Sequence, residues 1–133
     1  MIFVDTSAWF ARLVASDPNH EAAVCFTRAS GEALLTTDYV ADETLTLLRA
    51  RGQARASLAF GESLFGGQLG HVYFMTEEDA RQAWELFRRF HDKDWSFTDV
   101  TSKVVMDRLG VNRAFAFDRH FSQFGDIELL PLQ

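Results

Sequence analysis

Four carboxylates occupy positions from which they could converge on one ligand. Asp5 closes the apolar run Ile2-Phe3-Val4, and Asp118 closes Ala114-Phe115-Ala116-Phe117. Asp99 follows Trp95-Ser96-Phe97-Thr98 at the opening of a helical stretch, and Glu43 lies just inside another, Asp38–Arg49. In an α/β protein, strand tips and helix starts on one edge of the sheet share a crevice where ligands bind. Carboxylates gathered there repel one another unless a hard divalent cation such as Mg²⁺ or Mn²⁺ offsets their charge. The chemistry implied is metal-dependent phosphoryl transfer.

Each acid also has a structural reading. Asp5 and Asp99 suit helix N-caps or first-turn acids, stabilising by about 1 kcal/mol each, and Asp118, before Arg119-His120, suits a turn. Glu43 is harder to explain so. It shares a helical face with Tyr39, Leu47 and Ala50, which directs it toward the packed side, where a carboxylate needs a cation or a partner. Asp42 and Asp94 read as bystanders. His20, His71, His91 and His120 have no H-x-x-x-H spacing, which argues against zinc. Ser7 and Ser96 have no nearby histidine base for nucleophilic catalysis, and no glycine-rich loop is present to cradle a nucleotide.

The elements needed to position these residues are legible. Ile2–Asp5 reads as a buried strand, followed by a helix to about Ala15 that Thr6-Ser7 would cap. Asp17-Pro18 looks like an N-cap and first helical residue, opening a helix to about Ala29. A strand over Ala33–Thr36 precedes the helical spacing of Tyr39, Val40, Glu43, Thr44, Leu47 and Leu48. Further helices are expected over Ala54–Phe65, from Thr76 with Ala80, Ala83, Trp84, Phe87 and Phe90 as its apolar stripe, and over Asp99–Leu109. Strands are expected at Val72–Met75, Ala114–Phe117 and Ile127–Leu130. This alternation predicts an α/β fold, a three-layer α/β/α domain with a mainly parallel sheet. Without a repeat or linker, one domain over 1–133 is expected.

Composition narrows the class. The 133 residues are 47% apolar and 24% charged, as in an ordinary globule. No apolar run approaches the roughly 20 residues of a membrane helix, and no basic lead-in to a signal peptide is present. Cys25 stands alone, which points to a reducing cytoplasm; between Val24 and Phe26 it reads as a buried filler. The net charge of −6 falls to −2 once the four candidate ligands are set aside. Eleven of the thirteen cations are arginine, the residue suited to bidentate phosphate contacts. Arg49, Arg51 and Arg55 cluster at one helix junction, and Arg113 and Arg119 flank Asp118. Arg49, Arg51 and Arg119 are the candidate phosphate contacts.

Taken together, Val4-Asp5-Thr6-Ser7-Ala8-Trp9, Asp42-Glu43-Thr44, Ser96-Phe97-Thr98-Asp99 and Phe117-Asp118-Arg119-His120-Phe121 resemble, in order and spacing, the blocks of PIN-domain ribonucleases, in particular the VapC toxins of toxin–antitoxin pairs. The resemblance spans nearly the whole chain. It implies a PIN-like fold and a metal-dependent endoribonuclease leaving 5′-phosphate and 3′-hydroxyl ends. Asp5, Glu43, Asp99 and Asp118 would bind Mg²⁺ or Mn²⁺, while Ser7 and Thr98 would orient ligands and water. It further implies a VapB-like antitoxin partner, lying against the helices around Asp38–Arg51 and Ala54–Phe65, and a homodimer. Val100 departs from the pattern, since family members commonly carry alanine there.

Other readings fit less well. Dehalogenase-like phosphatases need Asp-x-Asp after the first strand, and this chain has Asp5-Thr6-Ser7. Receiver domains need a lysine after a late strand, a role that Arg113 does not fill. A PIN domain acting in RNA processing, or a non-catalytic PIN-like binding module, remains the alternative.

Overall fold

The computed structural model describes residues 1–132. Its five strands are β1 (Ile2–Val4), β2 (Leu34–Thr37), β3 (His71–Tyr73), β4 (Arg113–Phe115) and β5 (Glu128–Leu130). Its helices are α1 (Thr6–Leu13), α2 (His20–Ala29), α3 (Asp38–Ala50), α4 (Ala54–Phe65), α5 (Glu77–Arg89) and α6 (Phe97–Leu109), with a short 3-10 turn over Arg119–Gln123. The strands form one sheet in the order β3-β2-β1-β4-β5, and every neighbouring pair is parallel.

β1 is central, and Ile2, Phe3 and Val4 are wholly buried. An uninterrupted apolar run is what a parallel strand covered on both faces requires. The chain leaves β1 toward β2 on one side and reaches β4 on the other only after six helices. The strand order therefore reverses between β1 and β4, and their carboxyl ends open the crevice typical of such a switch point.

Helix starts are fixed by side chains. The Thr37 hydroxyl accepts the Val40 N–H at 3.0 Å at the start of α3. Thr76 with Asp79, and Ser96 with Asp99, form reciprocal capping boxes at α5 and α6. Gly110, at φ +68, ends α6 in the left-handed region that favours glycine. No helix among the described residues is long and apolar enough to cross a membrane.

Several sequence expectations need correction. α2 begins at His20, after Asp17-Pro18, because the Asp17 carboxylate accepts the Asn19 N–H at 2.8 Å and closes a turn first. α6 begins at Phe97, capped by Ser96, so Asp99 is its third residue and not its first. β3 spans His71–Tyr73, leaving Phe74 exposed, and α1 ends at Leu13. Cys25 is exposed on α2 and fills no core space. Phe60, within the Ala54–Phe65 stretch expected to meet the antitoxin, is core: it is 1% exposed and its ring lies 5.1 Å from Trp9.

Candidate metal centre

Asp5 is the first residue past β1 and the N-cap of α1. One carboxylate oxygen, Oδ2, accepts the Ser7 N–H at 3.2 Å and the Ser7 hydroxyl at 2.7 Å. The other, Oδ1, is buried with no hydrogen-bond partner. A side chain only 2% exposed with an orphaned oxygen is costly unless a cation or a proton meets it. Burial pushes the Asp5 carboxyl up to about 7, opposed by the two Ser7 bonds and assisted by repulsion from Asp99 and Asp118.

Asp99 and Asp118 are held beside it by their own capping duties. Asp99 Oδ2 accepts the Ser96 N–H at 3.1 Å, which anchors it to the first turn of α6. Asp118 caps the 3-10 turn, its Oδ1 accepting the His120 N–H at 2.9 Å. The Ser7 hydroxyl also accepts the Phe117 N–H at 3.0 Å. The backbone just beyond β4 thus leaves the sheet ladder for Ser7, carrying Asp118 toward Asp5. This is why the predicted strand Ala114–Phe117 stops at Phe115.

A third member of the close group formed by Asp99 and Asp118, a group that does not take in Asp5, was missed from sequence. His120 Nδ1 lies 2.9 Å from Asp99 Oδ2 and 3.2 Å from Asp118 Oδ1. Ligand-type atoms of Asp99, Asp118 and His120 fall within 4.8 Å of one another. Burial disfavours the His120 cation, but the hydrogen bond to Asp99 outweighs it, with Asp118 and Asp94 adding, and the ring's pKa is raised. Looking for zinc spacing concealed this histidine. The usable signal was its place two residues past Asp118, where the turn folds its ring back.

The remaining candidates are distributed unevenly. Glu43 is half-buried on α3, and Ala50, expected on the packed side with it, is exposed. It lies one turn past Tyr39, whose ring is 6.2 Å from Phe97 at the start of α6. It is not drawn into the group around Asp99. Thr98 contributes its carbonyl, which accepts from Thr101 at 2.6 Å and Ser102 at 3.1 Å. Asp42 and Asp94 are exposed. Arg113 is engaged structurally, paired with Glu32 and, at 3.1 Å, with Glu128. Arg49, Arg51 and Arg119 are exposed; Arg49 borders a groove between α3 and α4, and Arg119 borders another with Asn19 and Phe117.

The donor set suits a hard divalent cation. Three carboxylates, one with an orphaned oxygen, stand at the N-terminal ends of α1, α6 and a 3-10 turn, and oxygen ligands are what Mg²⁺ and Mn²⁺ take. An acid-rimmed switch point in a five-stranded parallel sheet matches the PIN domain, whose sequence profile fits residues 2–127. The chain belongs to the PIN domain family. It is 37% identical over 131 residues to the 23S rRNA-specific endonuclease VapC20 of Mycobacterium tuberculosis, covering 98% of this chain and 99% of the relative. It is 29% identical over 122 residues to the ribonuclease VapC26 of the same organism, covering 91% and 90%. The crystal structure of VapC20, described as a sarcin-ricin loop cleaving toxin, matches with TM-score 0.91 and 35% identity over 98% of this chain and 100% of that one. FitAcB from Neisseria gonorrhoeae shares the fold at TM-score 0.70 and 16% identity, over 98% and 97%.

Proposed function

We propose that this protein is a metal-dependent endoribonuclease, the toxin of a toxin–antitoxin pair, acting as one PIN domain in the cytoplasm. The observation that carries the reading is Asp5 Oδ1, buried, unpaired and flanked by Asp99 and Asp118 at the switch point of the sheet. Its similarity to VapC20 supports RNA, and a ribosomal RNA loop in particular, as substrate.

Asp5, Asp99 and Asp118 would hold Mg²⁺ or Mn²⁺, with Glu43 closing the set from α3. A cation there supplies a water of lowered pKa and offsets charge on a phosphoryl group. The chain's own part is to fix geometry and charge. Ser7 holds Asp5 Oδ2 and leaves Oδ1 for the cation. Ser96 and the His120 N–H fix Asp99 and Asp118, and His120 bridges the two carboxylates, as neighbours of metal ligands commonly do. The N-termini of α1 and α6 favour negative charge in the crevice. Arg119, exposed beside Asp118, and Arg49 and Arg51 further along α3 are the cations available for RNA phosphates, and Thr98 is a hydroxyl at the rim.

A VapB-like antitoxin is the proposed partner, seated in the groove between α3 and α4, where Leu58 and Phe65 are 61% and 55% exposed. A homodimer belongs to the same reading. The direct test is to incubate the purified chain with total RNA in Mg²⁺, in Mn²⁺ and in EDTA, and to map the ends produced. Discrete cuts bearing 5′-phosphate that vanish in EDTA support the reading. Intact RNA under every metal condition overturns it.

A further inference from the structure

α5 was expected to bury Ala80, Ala83, Trp84, Phe87 and Phe90 as one stripe. Ala83 is buried, but Trp84 is 53% exposed. Phe87 and Phe90 are only partly covered. From Trp84 a row of rings runs to the first turns of α6 and α3. Trp84 lies 6.2 Å from Phe87, Phe87 meets Phe97 edge-on at 5.7 Å, and Phe97 lies 6.2 Å from Tyr39. Phe97 is two residues before Asp99, and Tyr39 is one turn before Glu43. The row therefore ends on the first turns of α6 and α3, the helices that carry Asp99 and Glu43.

Beside it is a groove of about 440 Å³ lined by Trp84, Phe87, Phe90 and Trp95 together with Arg88 and Lys93. Arg88 is paired only with Glu85, at 2.6 Å and largely in solvent, a contact worth little and readily exchanged. Lys93 is exposed, in no ion pair among the described residues. Asp92 and Asp94 flank Lys93 in the loop but do not line the groove. The groove between α3 and α4 differs in kind. Its apolar lining is chiefly aliphatic, from Leu45, Ala50 and Leu58 with Phe65.

We propose that the groove between α5 and the loop before α6 is a base-stacking subsite for single-stranded RNA, in which Trp84 and Phe87 receive unstacked nucleobases and Arg88 and Lys93 meet their phosphates. The proposal rests on the reading of this protein as a ribonuclease and specifies the form of its substrate: loop or unpaired nucleotides, not duplex. Stacking on aromatic rings beside cations is the usual means of holding unpaired RNA. The ring row links the subsite to the first turn of α6, the helix that carries Asp99. An exposed aromatic face could equally pair two copies of a chain. The cations lining it favour RNA.

The test uses the full chain carrying Asp99→Asn, so that bound strands stay intact. Affinity is read by anisotropy for a labelled, unstructured RNA of about 12 nucleotides and for the same sequence as a perfect duplex. Trp84→Ala is expected to weaken single-strand binding about tenfold and leave duplex binding unchanged. Trp84→Phe is expected to retain most of the affinity, and Lys93→Gln to reduce the salt dependence of binding. Sedimentation of each variant is expected to show the parent's oligomeric state. Unchanged single-strand affinity in folded Trp84→Ala protein overturns the proposal, and so does a loss of affinity that tracks dissociation of a dimer. Cleavage by the Asp99-containing chain separates the two levels. RNA cut normally by Trp84→Ala protein, with unchanged KM, removes the subsite alone, whereas a chain that neither binds nor cuts RNA removes the ribonuclease reading with it.

Discussion

The Ser7 hydroxyl donates to Asp5 Oδ2 at 2.7 Å while accepting the Phe117 N–H at 3.0 Å. One small side chain thereby joins the tips of β1 and β4 and orients the most buried candidate ligand. Ser7→Ala leaves the Phe117 amide unbonded and frees the Asp5 carboxylate to rotate. The expected results are a loss of about 1–3 kcal/mol of stability and metal affinity lower by about 10–100-fold. Urea unfolding and calorimetric titration with Mn²⁺ measure the two separately. Native-like values for both would mean that the serine only fills space.

Asp5→Asn should act in the opposite sense on stability. It removes a charge that burial and two neighbouring acids disfavour, so the metal-free protein should melt at the same or a higher temperature, while RNA cleavage is abolished. Melts in EDTA give the answer. A large drop in melting temperature would assign Asp5 to capping α1 and nothing more.

The same residue sets a pH dependence. The Asp5 carboxyl titrates near 7 in the fold, against an ordinary value of 3.8, so between those values the native state holds a proton that the unfolded chain has released. Stability in EDTA must therefore fall as pH rises from about 4 to about 7. His120, whose pKa is also raised, holds its proton in the fold beyond the pH at which the unfolded chain loses it. Its contribution is lost in the same direction, from neutrality upward. Bound cation replaces those protons and should flatten the profile, with metal affinity rising with pH. Melting curves across pH in EDTA and in Mn²⁺ check both signs, and a metal-free protein that gains stability toward neutrality would contradict them.

How far the site could be read from sequence depended on what each residue does for its backbone. Asp5 directly follows β1, Asp118 closes an apolar run three residues past β4, and Asp99 stands three residues after a serine, so local pattern located them. Their capping reading and their ligand reading are compatible, because each cap uses one oxygen and leaves a second. His120 was not legible. Its role comes from a 3-10 turn that folds the ring back over two acids, and no periodicity announces such a turn. The strand order was equally out of reach, since alternation of elements implies parallel strands but not which pair of them flanks the switch point. Burial on helix faces misled at several positions, Cys25 and Trp84 among them. Glu43 is less covered than its neighbours in sequence suggest, and Phe60 is more so, because α4 packs its 57, 60 and 64 positions inward.

Asp79 offers a control acid. It has no exposure, accepts the Tyr73 hydroxyl at 2.7 Å and the Thr76 N–H at 3.0 Å, and pairs with Arg108 of α6. It ties β3, α5 and α6 together away from the crevice. Asp79→Ala should cost about 1–3 kcal/mol, since it removes half of the α5 capping box and leaves the Tyr73 hydroxyl without its partner beside a partly exposed Arg108, yet folded protein should bind Mn²⁺ as the parent does. A fall in metal affinity without loss of stability would extend the centre to this residue.

The partner groove gives the sharpest contrast between two phenylalanines on one helix. Phe60 is buried against Trp9, so Phe60→Asp places a charge in the core and should prevent folding. Phe65, 55% exposed beside Leu45 and Leu58, can take the same substitution without losing core contacts. An amphipathic antitoxin helix needs just such an unpaired apolar strip, and anchors of this size carry much of the affinity at protein interfaces. Phe65→Asp should therefore leave fold, Mn²⁺ binding and RNA cleavage intact while weakening antitoxin binding by about 2 kcal/mol or more. Co-expression with the proposed VapB-like antitoxin, followed by affinity measurement and an RNA cleavage assay, tests this directly. A variant that still binds and is still silenced would move the docking face elsewhere on the molecule.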